Sequence, residues 1–293
     1  MPRPTFALCG LVVISLSAPS CFASAFVQGA YYRLGDADPG AAAGAIGNDP
    51  TVDSFSNKLD LGRSGSPHYA ADVPALGPEG NKLSMAFANV GLGGPAFPGE
   101  YGRSQALPMI EQGIALEAWV KAGPTNLDAP GTVLNEVVAY NGDPAANGFG
   151  FFNEGDNYVL RLGSNLRTVP GPFEQVLGPA EVGAWHHLAY VFSFGNSSYY
   201  YDGKLVATST ADPAPLTAND GFWIGGRPPS GLAGAAQEFG FNGWIDEVRY
   251  QTFNPIAAGA FEPTAFLIAP EPGAATLLGL ACLGLLGRRG RAK

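Results

Sequence analysis

Between residues 26 and 266 the apolar residues recur at every second position in short segments, and Gly, Pro, Asn and Asp stand between the segments. Ile114, Leu116, Ala118 and Val120 alternate with Ala115, Glu117, Trp119 and Lys121; His186, Leu188, Tyr190 and Phe192 alternate with Trp185, His187, Ala189 and Val191. On a strand, neighbouring side chains point to opposite faces, so this period of two gives each segment two distinct sides. Further runs of this kind are 132–140, 148–153, 157–162, 198–201, 204–208, 222–226 and 241–250. No apolar spacing of three and four is sustained, which leaves no amphipathic helix in the body. Many short strands with turn residues between them predict an all-β, two-sheet antiparallel sandwich of the jelly-roll type. Asp202-Gly203 sits between two strands, where positive φ at both positions makes a two-residue hairpin. Asn254-Pro255 predicts the cap and first position of a short helix over 256–261.

A chain with 46% hydrophobic and 11% aromatic residues can fill a core between two such sheets. Its three cysteines, Cys9, Cys21 and Cys282, leave the body with none. A disulfide framework, a cysteine metal site and a cysteine nucleophile are thereby excluded from the body. The formal charge of −9 argues against nucleic acid, whose phosphates need clustered Lys and Arg.

Both ends read as addresses. Arg3 precedes an apolar run from Phe6 to Ala18, and Ala23-Ser24-Ala25 closes it as an A-x-A site, so residues 1–25 are expected to be a cleaved secretory signal with Phe26 as the mature N-terminus. At the other end stand Pro270-Glu271-Pro272, an apolar stretch over 273–287, and Arg288, Arg289 and Arg291. Spanning a bilayer takes roughly 20 apolar residues, so this shorter helix is expected to anchor the chain only transiently, with the basic end held on the cytoplasmic side. Residues 269–293 resemble the PEP-CTERM sorting signal of Gram-negative bacteria. That resemblance implies an exosortase-type membrane transpeptidase as partner and delivery to the cell surface or extracellular matrix; a simple membrane anchor is the alternative. Removal of both ends would take away five basic residues and one acid, and every cysteine. The body would then be more acidic than the whole chain.

Residues 116–121 (LEAWVK), 185–191 (WHHLAYV), 201–206 (YDGKLV), 223–226 (WIGG) and 241–249 (FNGWIDEVR) occur in the order found in LamG-like domains. The chain therefore resembles the concanavalin A-like lectin and glucanase superfamily over 114–250. Tyr31 to Gly35 and Asp53-Ser54 are similar to the family's opening strand, and 26–266 is taken as one LamG-like domain.

Glucanases of that superfamily carry Glu-x-Asp-x-Glu on one strand, because alternate residues share a face and flank the scissile bond. Here Trp244 and Val248 replace the outer acids, and Asp246 and Glu247, being adjacent, are expected to face opposite sides and to cap or pair at a strand edge. His186 and His187 likewise face opposite sides, with His68 the only other histidine, so three imidazoles cannot converge. No Gly-x-Ser-x-Gly or phosphate-loop motif occurs. A non-enzymatic surface or matrix protein that binds polysaccharide is the expected function; a glycan-active hydrolase or lyase and a passive coat protein are the alternatives. Candidate aromatic platforms for a glycan are Tyr199, Tyr200, Trp223 and Trp244, whereas Trp119 and Trp185 are expected in the core or between the sheets. The resemblance also implies that calcium could sit at a sheet rim, where Asp36, Asp38, Asp53, Asn141 and Asp143 are candidate oxygen ligands.

Overall fold

The computed structural model describes residues 26–55, 57–87, 100–103, 107, 113–123, 135–142, 148–162, 173–210, 221–226 and 240–253. The expected signal (1–25), the short helix after Asn254, the sorting tail (269–293) and Asp143 lie outside them. In chain order the strands are β1 (Phe26–Tyr32), β2 (Gly62–Ser64), β3 (His68–Ala70), β4 (Ser84–Phe87), β5 (Glu100–Arg103), β6 (Gly113–Ala122), β7 (Asn135–Gly142) and β8 (Gly148–Glu154). They continue with β9 (Asn157–Leu162), β10 (Phe173–Pro179), β11 (Trp185–Ser193), β12 (Asn196–Tyr201), β13 (Lys204–Ser209), β14 (Phe222–Ile224) and β15 (Gly243–Phe253). No helix occurs among the described residues.

Two antiparallel sheets form a sandwich that fits a jelly roll. The first has the order β13-β12-β11-β6-β15-β4-β3, with β1 also paired to β15; the second runs β10-β9-β8-β7-β14-β5-β2. Strands from the first hundred residues thus join both sheets. β4 pairs with Gly243 to Ile245 and β1 with the stretch beyond Val248, so β15 is a central strand served by two partners in succession.

Alternation sorts the side chains. Leu116, Val120, Leu188, Tyr190 and Tyr250 of the first sheet meet Phe149, Phe151, Leu160, Phe222 and Ile224 of the second in one buried cluster. The Phe149 ring lies 6.2 Å from that of Tyr190 and 6.3 Å from that of Tyr250, so these aromatics bridge the sheets. The odd-numbered residues of β6 and β11 turn outward, away from the second sheet. Trp119 and Trp185 are among them: Trp119 is buried as expected, at 3% exposure, but on the outer face and not between the sheets, and half-buried Trp185 corrects the expectation that it packs in the core. Trp119 packs instead beside the His187 ring, 5.2 Å between centroids.

Candidate functional site

Antiparallel register brings residues far apart in sequence into rows across the outer face of the first sheet. Trp185 pairs with Lys121, Lys121 with Trp244, Trp244 with Ala86, and Ala86 with His68. The row therefore reads Trp-Lys-Trp-Ala-His across β11, β6, β15, β4 and β3. Its first four members are half-buried and His68 is exposed. Asp72, from the loop after β3, lies against the row: its Oδ1 accepts a hydrogen bond from the Trp185 indole at 2.9 Å, and its Oδ2 takes an ion pair from Lys121 Nζ. Lys121 Nζ also stands 4.8 Å from the centre of the Trp244 ring, a cation on an aromatic face. Burial works to raise the Asp72 carboxyl, but the hydrogen bonds from Lys121 and Trp185 and the Lys121 charge outweigh it and hold the group below its ordinary range.

The next rows are polar and buried. His187 Nε2 lies 3.0 Å from Glu117 Oε2, and Arg249 pairs with the other oxygen of Glu117, joining β11, β6 and β15. Beside them β15 carries a bulge: Asp246 pairs with Trp119 but Arg249 pairs with Glu117, which inserts one extra residue, and Glu247 takes a φ of 50°. This corrects the expectation that Asp246 and Glu247 part to opposite faces at a strand edge. The strand is central and the bulge breaks the alternation, so both acids are fully buried. Asp246 accepts from Asn81 Nδ2 at 2.7 Å; Glu247 accepts from the Tyr31 hydroxyl and from Arg33 Nε, the latter at 3.2 Å. Burial raises both carboxyls. Asp246 is raised further by the neighbouring Glu247 charge, whereas Tyr31 and Arg33 offset part of the rise at Glu247. The physical consequence is a pair whose two carboxyls resist being ionised together.

The four candidate platforms separate. Tyr199 is 2% exposed in the core between the sheets, and Tyr200 is 8% exposed in a cluster with Ala115, Ala189, Val191 and Phe253, so neither offers a ring face to solvent. Trp223 is half-buried on the outer face of the second sheet and lies over Gly102, where a Cβ would stand 1.8 Å from the indole. Trp244 belongs to the row described above. The structure thus brings Trp244 together with Trp185, Lys121 and Asp72, which sequence reading did not group. Only the register, which no local pattern encodes, puts them side by side.

The calcium candidates do not converge. Asp38 is buried and accepts from Thr51 Oγ1, the Val52 amide and the Tyr69 hydroxyl. Asp53 accepts from the amides of Tyr31, Phe55 and Leu59. Asp36 takes the Lys82 amide and the Arg33 guanidinium. Asn141, on the second sheet, is bound to the backbone of Leu107. Among the described residues no three His, Cys, Asp or Glu side chains form a metal-binding group. His186 and His187 face opposite sides as expected. His186 stacks on Tyr201 at 4.8 Å and contacts Asp202 at 3.0 Å.

A family model described as the concanavalin A-like lectin/glucanases superfamily matches residues 100–252. No curated protein sequence matches the chain. Among solved structures the chain is similar to domain 4 of AbnA, a GH43 extracellular arabinanase from Geobacillus stearothermophilus, solved in complex with arabinotriose: 18% identity, TM-score 0.48, 80% of this chain and 94% of that one. It is also similar to the botulinum neurotoxin serotype D binding domain, at 10% identity and TM-score 0.46 over 77% of this chain and 48% of that one. The serotype G binding domain gives 13% identity and TM-score 0.45 over 70% and 46%. The chain spans about half the length of these toxin domains.

Proposed function

This chain belongs to the concanavalin A-like lectin/glucanases superfamily, and from that premise we propose that it is a non-enzymatic polysaccharide-binding protein of the cell surface or extracellular matrix. The observation that carries the reading is the half-exposed row of Trp185, Lys121 and Trp244 with Asp72 against it. Half-exposed indoles beside fixed donors and acceptors suit a sugar site, because ring faces pack on the aromatics and hydroxyls bond to the polar groups. A glycosidase needs two carboxyl groups flanking the bond it cuts. Asp246 and Glu247, the acids nearest the row on β15, are fully buried and bonded to Asn81, Tyr31 and Arg33, so the pair is better read as structural.

Export by residues 1–25 and sorting through 269–293 by an exosortase-type transpeptidase complete the proposal, supported by the basic, apolar and A-x-A pattern at one end and the Pro-Glu-Pro, apolar and arginine pattern at the other. Retention of the purified chain on immobilised exopolysaccharides tests the binding reading, and passage through every such column without delay would refute it. Terminal sequencing of the secreted protein tests the addresses: a start at Phe26 and loss of Arg288 to Lys293 are expected, and an intact tail on protein outside the cell would refute the sorting step.

A further inference from the structure

The row on the first sheet also carries information about the class of glycan. Trp185 and Trp244 lie on β11 and β15 with β6 between them, all three in register. Two strand spacings separate the indole-bearing positions by roughly 10 Å. That distance is comparable to two sugar units of an extended chain. Between the indoles stand one donor, Lys121 Nζ, and one acceptor, the Asp72 carboxylate, already paired with each other. The Asp72 side chain is 42% exposed and that of Lys121 14%, so a ligand reaches the polar centre from the Asp72 side.

The charges decide what can lie there. Lys121 is neutralised by Asp72, and Asp72 is held in its ionised form by that pairing and by the Trp185 indole. A carboxylate-bearing sugar would have to displace Asp72 from Lys121, leaving one of two anions unpaired on a chain of net charge −9. A hydroxyl both donates and accepts, and can therefore join Lys121 and Asp72 without separating them. The geometry points to an uncharged, extended polysaccharide lying across β11, β6 and β15, with ring faces on Trp185 and Trp244 and the intervening hydroxyls on Lys121 and Asp72. Ala86 and exposed His68 continue the row on the far side of Trp244 and give the chain a path off the sheet.

This inference rests on the polysaccharide-binding reading, and its test separates the two. Binding of the full chain is measured by affinity electrophoresis with soluble neutral β-glucan and with polygalacturonate, at low salt and at high salt. Retardation by the neutral glucan, unchanged by salt, is expected. Trp244→Ala and Trp185→Ala should each weaken it by roughly tenfold or more. Trp185→Phe keeps a ring while removing the donor to Asp72, and Lys121→Met keeps the stem without the charge; both should bind more weakly while melting as cooperatively as the parent, which covers the case in which an alanine variant fails to fold. Salt-sensitive retardation by polygalacturonate in place of neutral glucan would overturn the class and leave the binding reading standing. Neutral-glucan binding indifferent to all four variants would overturn the place. Retardation by neither polymer would overturn the inference, and binding to some other exopolysaccharide column would then decide whether the wider reading survives.

Discussion

Glu136 on β7 points inward and is bonded to Asn153 Nδ2 at 2.8 Å and to the backbone of Asn242, the residue just before β15. One acid thereby links the two sheets near the end where the Trp-Lys-Trp row lies. Burial pushes its carboxyl up to about 7, and the two hydrogen bonds offset only part of that rise. The folded chain holds this proton more tightly than the unfolded chain, so the stability it brings is complete below the unfolded value of 4.5 and is lost as pH rises through about 7. The loss amounts to roughly 3 kcal/mol at 1.36 kcal/mol per pKa unit. Glu136→Gln keeps the acceptor and removes the charge. It should raise the melting temperature at pH 8 by several degrees and leave it unchanged at pH 4; an equal effect at both values would show that the carboxyl does not titrate in this way. Asp246 is governed by the same physics at a second position, but the sequence hid it. Two adjacent acids on a strand read as facing apart, and only the bulge at Glu247 turns both to the same covered face.

Elements with local signals were legible. β6, β8, β9 and β11 lie where alternation predicts them, within a residue or two. The turn between β12 and β13 has Asp202 at φ 49° and Gly203 at φ 72°, as the Asp-Gly dipeptide demands. Asp202 does more than tolerate the turn: its carboxylate accepts the His187 amide at 2.8 Å and tethers the hairpin to β11. Gly203→Ala would force a Cβ into the left-handed region at a cost of about 1–2 kcal/mol. A fall in melting temperature of a few degrees with unchanged secondary structure is expected, and no change would mean the turn rearranges freely. β10 (Phe173–Pro179) had escaped the sequence reading, because Gly178 and Pro179 interrupt its pattern and the strand is an edge, paired only with β9. β2 to β5, of three or four residues each, carry too few positions for a period of two to show.

Across the whole molecule the opening segment is fixed by buried carboxylates. Asp38 and Asp53 accept from amides and hydroxyls of β1, of β3 and of the loop after β1, and so tie that loop to both strands. Treatment with EDTA should therefore leave the melting temperature unchanged, and a drop reversed by calcium would place a structural ion in the domain. What the sequence by itself determined was the class of architecture: alternation and turn residues specify short strands with two faces, the apolar content suffices to fill the space between two sheets, and a body without cysteine needs no cross-link to close. The five strand motifs resembled the superfamily to which the chain belongs. What only the tertiary structure decided was which residues meet. Strand parity is a local property, fixed by the backbone every second residue, but register is set by packing across the sheet. Nothing near Trp185 in the chain announces that Lys121, Trp244 and Asp72 stand beside it.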